Sequence, residues 1–268
     1  MNKIDVENLC VKYKTQNQTF EALKDLSFSV KSGEFVSIVG ASGCGKSTFL
    51  SVLEGLLKPT SGRILIDGKE VKGTDTDRSV VFQHYSLFHW MTALKNTEFG
   101  IQQAKKQLSR KEVTKLANHF LDLVHLEQFK NKFPSQLSGG MQQRVAIARA
   151  LAMDTDILIM DEPFGALDAK NKSTLQDLVL ELWSSSEKNK TVIFVTHDID
   201  EAILLSDKIV VFSENPGHVY KEIKVPFARP RNRTDIRKTK DYETLRAELI
   251  NSLYGNVREP EFEFALAG

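Results

Sequence analysis

The chain has 268 residues, of which 41% are hydrophobic and 26% charged, values ordinary for a globular protein of one large or two modest domains. Its formal net charge of +1 gives no reason to expect nucleic acid or a charged membrane surface as a partner. The sequence has no apolar stretch typical of a secretory signal or of a membrane span, and Cys10 and Cys44 have no disulfide or metal spacing, so we expect a soluble cytoplasmic chain.

The first part of the chain predicts β-strands interrupted by Ser, Gly and Lys. These strands are IDVENLCVKY, LSFSV, EFVSIVG, GRILIDG and SVVF, with a helix at residues 46–54 that ends at Gly55. Helical spacing then extends from about Thr92 to Ala152, as in KEVTKLANHFLDLVHL. Beyond it, ILIMD, TVIFVTH and KIVVF alternate with a helix at residues 169–187 and a second, short helix. This alternation predicts a parallel sheet covered on both faces.

The stretch EFVSIVGASGCGKSTFL places the pattern G-x-x-x-x-G-K-[S/T] between a strand and a helix. Glycines allow backbone N–H groups to surround phosphate oxygens at the start of a helix. The residues predicted to bind a nucleotide here are Gly40, Ser42, Gly43, Cys44, Gly45, Lys46, Ser47 and Thr48. Lys46 suits the β- and γ-phosphates and Ser47 suits Mg²⁺. We interpret Cys44 as a small loop residue, with a thiol pKa lowered by the helix N-terminus as the alternative. The alternative is a glycine-rich turn that happens to carry Lys-Ser.

The strand at residues 157–160 ends in Asp161 and Glu162, at the edge where open α/β sheets bind ligands. Asp161 suits a metal ion and Glu162 can polarise water; together with the phosphate loop, the pair predicts an NTPase. His197 follows another strand, although a lone histidine there is more often structural. Ser138 suits an N-cap before Gly139 and Gly140, which predicts a second helix N-terminus able to bind an anion, a capped helix without a ligand being the alternative.

After Pro226 the sequence FARPRNRTDIRKTK is basic and poor in core residues, and a short amphipathic helix is predicted near YETLRAELINSLYG. We interpret the basic stretch as a solvated connector rather than as a lipid or nucleic-acid contact. The predicted organisation is one large domain at residues 1–225 followed by a connector and helix at residues 226–268.

In this order and spacing, the motifs resemble those of the ATP-binding cassette (ABC) transporter ATPases, over about residues 4–225. The resemblance implies an α/β fold: a P-loop NTPase core of ABC type with an antiparallel β subdomain and an α-helical signature subdomain at about residues 88–155. It assigns the Walker B acid to Asp161, the catalytic carboxylate to Glu162, the signature to LSGGM at residues 137–141, the D-loop to Asp168, the switch histidine to His197, the Q-loop to Gln83 and an adenine-stacking aromatic to Tyr13.

The family further implies ATP and Mg²⁺ as cofactors. Lys46, Glu162 and His197 would be catalytic, and Ser47, Gln83 and Asp161 would hold the metal. Two cassettes, identical or paired, would close head to tail on two ATP molecules, each between the phosphate loop of one subunit and the signature of the other.

The chain would lie at the cytoplasmic face of the membrane and contact integral permease subunits through residues 83–90, and an extracytoplasmic substrate-binding protein only indirectly. Tyr85, Leu87, Phe88 and Trp90 would face the permease, packing under the helical subdomain being the alternative. No nucleic acid is expected.

The stretches DRSVVFQHYSLFHWMTALKN, DEPFGALDA and VIFVTHDIDEAILLSDKIVVFSENPG resemble ATPase subunits of nitrate, sulfonate and taurine importers. That implies a small oxyanion as the transported substrate, with a thiamine precursor or another small metabolite as the alternative. Relatives commonly have proline where this chain has His89. A non-transport ABC ATPase is disfavoured because the chain has one cassette and no long coiled-coil insertion.

Overall fold

The computed structural model describes residues 1–14, 18–165, 167–184, 190–213 and 216–254. The strands are β1 (Asn2–Lys14), β2 (Thr19–Lys31), β3 (Phe35–Val39), β4 (Ser61–Ile66), β5 (Lys69–Glu70), β6 (Arg78–Val81), β7 (Ile157–Asp161), β8 (Thr191–Val195), β9 (Lys208–Ser213) and β10 (His218–Lys224). The helices are α1 (Lys46–Leu53), α2 (Ala93–Ala104), α3 (Arg110–Leu123), α4 (Gly139–Met153), α5 (Ala169–Ser184), α6 (Ile199–Leu205), α7 (Arg233–Ile236) and α8 (Lys240–Tyr254). The predicted end of α5, residues 185–187, lies outside the described residues.

Two sheets form the frame of the molecule. One is antiparallel, in the order β2-β1-β4-β5, and the other has the order β10-β9-β3-β8-β7-β6. In the second sheet all neighbouring strands are parallel except β10, which runs antiparallel to β9 along one edge. The predicted P-loop type of core with an antiparallel β subdomain is therefore confirmed.

The mixed sheet is covered on both faces, as its uninterrupted apolar strands predict. Along β7, Ile157 and Ile159 pack in the core that also contains α1 and the antiparallel sheet. Leu158 and Met160 face the other way, into the core formed with α4 and α5. Phe49 of α1 joins the two sheets, since its ring lies 5.4 Å from that of Phe28 in β2 and 5.9 Å from that of Phe212 in β9.

The segment of the chain between β6 and β7 contains the helices α2, α3 and α4. A small core of Ile101, Val113, Ala117 and Ala152 holds the three helices together. The starts of the helices follow the local sequence, because the hydroxyls of Thr92, Ser109 and Ser138 accept hydrogen bonds from the N–H groups of the first turns of α2, α3 and α4. The predicted α-helical subdomain is confirmed.

The basic connector differs from its prediction. The Arg231 side chain is only 1% exposed and donates to the carbonyls of Ile203, Leu204 and Ser206 at the C-terminal end of α6. The expectation of solvation is wrong for Arg231, because carbonyl groups at the end of a helix need donors and a guanidinium supplies several. Most other residues at 228–240 are exposed. Among the described residues, no helix is long and apolar enough to cross a membrane.

Candidate functional site

A cleft of about 560 Å³ opens at the carboxyl edge of the parallel strands, between the start of α1 and the ends of β6, β7 and β8. The residues that line it are Phe20, Ala22, Gly40, Ser42, Gly43, Gly45, Lys46, Ser47, Thr48, Gln83, Asp161, Glu162 and His197. The structure thus brings most of the predicted nucleotide-site residues together in one place.

The phosphate loop links the end of β3 to the start of α1. Lys46 is the first residue of α1 and only 9% exposed, and its Nζ donates to the carbonyls of Gly40 at 2.7 Å and Ala41 at 2.9 Å. These bonds hold the ammonium inside the loop. The positive charge of the ammonium group and the positive end of the helix dipole both attract phosphate at this place.

Gly45 shows why the loop needs glycine. It caps α1 with φ of 92°, in the left-handed region, and an added Cβ would lie 2.5 Å from Leu23 Cδ2 and 2.9 Å from the Ala22 carbonyl oxygen. A side chain here would be strained and would also collide with β2. The backbone can therefore take this path only without a Cβ.

Cys44 does not behave as its position near a helix N-terminus suggests. It is fully buried, and burial raises the pKa of its thiol, an effect that the nearby Lys46 charge only partly offsets. The alternative of a lowered thiol pKa is wrong because desolvation of the thiolate outweighs the favourable charge. Cys44 contributes shape and packing to the loop.

Glu162 is the centre of the polar contacts in the cleft. Its Oε2 accepts from Gln83 Nε2 at 3.1 Å and lies 3.3 Å from His197 Nδ1. The backbone at Glu162 has φ of 44°, an uncommon value for a residue other than glycine. The Glu162 N–H donates to the Val195 carbonyl at 3.0 Å. Three strand ends therefore converge on one carboxylate.

Two further carboxyls lie behind Glu162. Burial raises the pKa of Asp161, as does the negative charge of Glu162, while Lys46 opposes the shift. Glu54, at the end of α1, is 8% exposed, and burial together with the charge of Asp161 raises its pKa to about 7, against the influence of Arg78. Glu54 is a feature that helical periodicity does not reveal, since nothing in its spacing marks it as buried.

We expect Glu54→Gln to stabilise the protein more at pH 8 than at pH 5. The folded pKa of about 7 lies above the ordinary value of 4.5, so stability contributed by the protonated carboxyl is lost as pH rises towards and through 7. Gln cannot ionise and avoids this loss, which linkage puts at roughly 2–3 kcal/mol between the two pH values. Urea unfolding of both proteins at pH 5 and pH 8 measures it, and an equal effect at both pH values would contradict it.

The residues of the predicted signature lie outside the cleft. Ser138 is exposed and caps α4, accepting from the Met141 N–H at 3.3 Å. A Cβ added at Gly139 would lie 2.6 Å from the Tyr85 hydroxyl, so a side chain at this helix start would have to displace the end of the Tyr85 side chain. Asp168 is also exposed and accepts from the Asn171 N–H at 3.0 Å, which makes it the cap of α5.

Tyr13 and Phe20 are cross-strand neighbours of β1 and β2 at the mouth of the cleft. Phe20 lines the cleft, whereas Tyr13 approaches it through its hydroxyl, 3.4 Å from Thr48 Oγ1. Both rings are exposed, at 42% for Tyr13 and 54% for Phe20. The adenine-stacking role predicted for Tyr13 stays a prediction, and Phe20 is a second aromatic at the same place.

Comparison with known proteins agrees with this geometry. The family model "ABC transporter" matches residues 23–165, more than half of the chain. The chain belongs to the ABC transporter family. It is an ATPase of the ABC type, with the fold and phosphate loop of that family.

Relatives and solved structures extend the match to most of the chain. It is 41% identical to the taurine import ATP-binding protein TauB of Roseobacter denitrificans, over 95% of both chains. It is 43% identical to the nitrate import ATP-binding protein NrtD of Synechococcus elongatus, over 90% of this chain and 88% of the relative. The dimeric ATP-binding cassette MJ0796, solved in a post-hydrolysis state with ADP and Pi, is 38% identical with a TM-score of 0.76, covering 84% of this chain and 100% of that one.

The aromatic segment after Gln83 divides between core and surface in this ABC ATPase. Leu87 is 5% exposed and packs in the core, so the prediction that it faces a partner is wrong and the alternative of internal packing holds. Phe88 lies half-buried, with ring centroids 5.3 Å from Trp90 and 4.8 Å from Phe99. Trp90 is 71% exposed, which leaves it as the one strongly exposed member of the four predicted contacts.

Proposed function

We propose that this ATPase is the nucleotide-binding subunit of an importer, using Mg²⁺ and coupling ATP-driven dimerisation to a separate membrane permease. The observation that carries the proposal is the division between the cleft and the signature. Lys46, Glu162 and His197 share one cleft, while Ser138 lies outside it at an exposed helix start. One chain therefore has two separate places for phosphate, as an ATP-sandwich dimer needs.

Within one cleft, the side chains have complementary roles. Lys46 neutralises charge on the β- and γ-phosphates, as a preorganised cation in a partly dry site does with little reorganisation. Glu162 accepts a hydrogen bond from Gln83 and orients or deprotonates the attacking water. His197, whose Nδ1 lies 3.3 Å from Glu162 Oε2, contacts the γ-phosphate.

The donors in the cleft fit Mg²⁺. Asp161 provides a carboxylate, Ser47 a hydroxyl and Gln83 an amide oxygen, while the Gln83 Nε2 donates to Glu162. Mg²⁺ in phosphoryl transfer is usually held by few protein oxygens plus phosphates, and no cluster of three or more His, Cys, Asp or Glu ligands occurs among the residues described. When bound, the ion neutralises charge on the β- and γ-phosphate oxygens.

The second anion site would complete the nucleotide site of a partner cassette. The first turn of α4 has N–H groups without intrahelical acceptors, and Gly139 and Gly140 add no side chains of their own there. The dimeric solved relative supports this arrangement. Asp168, which caps α5 and is exposed, would meet the same interface.

A groove beside Trp90 suits the permease contact. It encloses about 600 Å³ between α2 and α3, and its lining combines apolar Trp90, Phe99 and Phe133 with Lys95 and Glu98. Glu98 is buried, pairing with Lys95 at 2.6 Å and accepting from the Thr114 hydroxyl at 2.7 Å, so the groove has a fixed polar floor. An amphipathic cytoplasmic helix of the permease fits a groove of this composition.

The transported substrate is proposed to be a small oxyanion. This rests on the names of the relatives, which are import ATP-binding proteins for taurine and for nitrate. Taurine and nitrate both carry oxyanion groups, so the class is shared even though the compounds differ. An importer for a thiamine precursor or another small metabolite is the alternative.

Two measurements on the purified chain and on membranes test this proposal. We expect ATP hydrolysis that depends on Mg²⁺ and is abolished by EDTA.

We also expect Trp90→Ala to lose at least tenfold in retention by a membrane fraction containing the permease, with ATP hydrolysis by the free chain unchanged. Tyr220→Ala, which also removes an exposed aromatic side chain, is the matched control. Metal-independent hydrolysis, or equal retention of Trp90→Ala and wild type, would contradict the proposal.

A further inference from the structure

The C-terminal segment, residues 226–254, packs against the helix that follows His197. Tyr242, Leu245 and Leu249 of α8 share a core with Ala202 and Ile203 of α6. α6 begins two residues after His197, and its N-cap, Asp198, is the next residue in the chain. A change in how the C-terminal segment packs on α6 would therefore act next to His197.

A chain of hydrogen bonds joins Arg233 of α7 to the residue before His197. Arg233 Nη1 donates to Gln176 Oε1 at 2.5 Å, and Gln176 Nε2 donates to Glu201 Oε1 at 2.9 Å. Thr196 Oγ1 in turn donates to Glu201 Oε2 at 2.5 Å and accepts from the Asp198 N–H at 3.0 Å. Gln176, Glu201 and Thr196 are 2%, 6% and 2% exposed, so water does not compete for these bonds.

The charge of Glu201 is balanced inside this network. Lys172 of α5 lies 2.7 Å from Glu201 Oε1 and 2.8 Å from Asp198 Oδ2. Asp198 Oδ1 also accepts from the N–H groups of Asp200 and Glu201, which fixes the start of α6. The residues on both sides of His197 are thus tied to buried partners.

Other residues of the C-terminal segment contact the two ends of α6. Arg231 donates to the carbonyls that end α6, and the hydroxyl of Tyr242 donates to Asp200 Oδ1 at 2.8 Å. Burial raises the pKa of Tyr242 to about 12, and its bond to Asp200 adds to the shift, so the phenol remains a donor. The C-terminal segment is therefore hydrogen-bonded to both ends of α6.

His197 itself has little to hold it. Its side chain is 68% exposed and lies 3.3 Å from Glu162. The direction of the imidazole therefore depends on the backbone at residues 196–198, and that backbone is fixed by Thr196, Asp198 and Glu201. This makes the buried network a determinant of where the imidazole lies.

We propose that Arg233 is a positioning residue for ATP hydrolysis, which through Gln176, Glu201 and Thr196 holds His197 in place at the γ-phosphate. This inference rests on the proposed role of His197 in the site. The C-terminal segment then belongs to the working cassette, and its docking is a condition for full turnover.

The test is a double-mutant cycle in steady-state ATP hydrolysis of the full chain. We expect Arg233→Met to lower kcat about tenfold with KM for ATP within twofold, because the nucleotide contacts are untouched. Lys238→Met, which removes an exposed cation of the same segment, is the matched control and should keep the wild-type kcat. In a His197→Ala background, Arg233→Met should have no further effect on kcat.

Folding is controlled separately. Thermal unfolding of each variant checks that it is native, and Arg233→Lys, which keeps one charged donor for Gln176, should recover part of the lost kcat. An unchanged kcat in Arg233→Met, or a loss that multiplies with that of His197→Ala, would overturn the inference while leaving the proposed function standing. A wild-type chain without ATP hydrolysis, or a fully active His197→Ala, would overturn both.

Discussion

Glu162→Gln is expected to lower kcat for ATP hydrolysis by roughly a hundred- to a thousandfold, the range found when one preorganised catalytic group is removed. Gln has the shape of Glu and can still meet Gln83 and His197, so the cleft should keep its form. It cannot accept a proton from water, so the chemical step should fail. Steady-state phosphate release measures kcat, and fluorescent ATP binding should give an unchanged Kd.

The control for this change is Glu70→Gln, which neutralises an exposed carboxyl on β5, away from the cleft. It should hydrolyse ATP as the wild type does. If Glu162→Gln retained undiminished hydrolysis, the assignment of Glu162 as the residue that activates water would be wrong, whatever the behaviour of the control.

Ser138→Arg is expected to lower kcat for ATP hydrolysis at least a hundredfold. The Kd of the isolated chain for ATP should remain unchanged. Ser138 does not line the cleft of its own chain, so a bulky cation there cannot disturb Lys46 or the bound phosphates directly. It would instead obstruct the exposed N-terminus of α4, where the partner's nucleotide is proposed to lie. Phosphate release and ATP binding are measured on the same preparation.

A second serine cap separates this effect from simple damage to a helix. Ser109 caps α3 in the same way, accepting from the Glu112 N–H, and does not line the cleft. Ser109→Arg should cost about 1 kcal/mol of stability through the lost cap and leave hydrolysis unchanged. Equal loss of activity in the two variants would mean that the start of α4 has no special role.

Much of the fold is visible in the sequence because local pattern and tertiary role coincide. The continuous apolar run ILIMD predicts a strand buried on both faces, and β7 is one. Ser138 followed by two glycines predicts the start of α4 at its observed place. The motif at residues 40–48 predicts the phosphate loop because the backbone path there depends on glycines close in sequence.

The parts that the sequence does not reveal depend on contacts distant in the chain. β10 alternates weakly, with Ile223 its one buried residue, so HVYKEIK does not stand out as a strand. Arg231 is buried because α6 ends in unpaired carbonyls beside it, and no composition rule predicts that. Leu87 looks like a partner contact only because its neighbours are aromatic, whereas the fold turns it inward.

The candidate site shows the same division. The sequence predicts Lys46, Asp161 and Glu162 from their motifs, and the structure brings them into one cleft with Gln83 and His197. Glu54 and the network from Arg233 to Thr196 are missed, since each joins elements far apart in the chain. Buried polar contacts of this kind are determined by packing, which single-sequence periodicity does not describe.

In the proposed dimer, one chain contributes two phosphate sites, each to a different nucleotide. The most direct test is size-exclusion chromatography with light scattering on Glu162→Gln, with and without Mg-ATP, beside the double variant Ser138→Arg with Glu162→Gln. We expect an ATP-dependent dimer for Glu162→Gln and a monomer for the double variant under all conditions. A Glu162→Gln chain that binds ATP but stays monomeric, or a double variant that dimerises equally well, would contradict it.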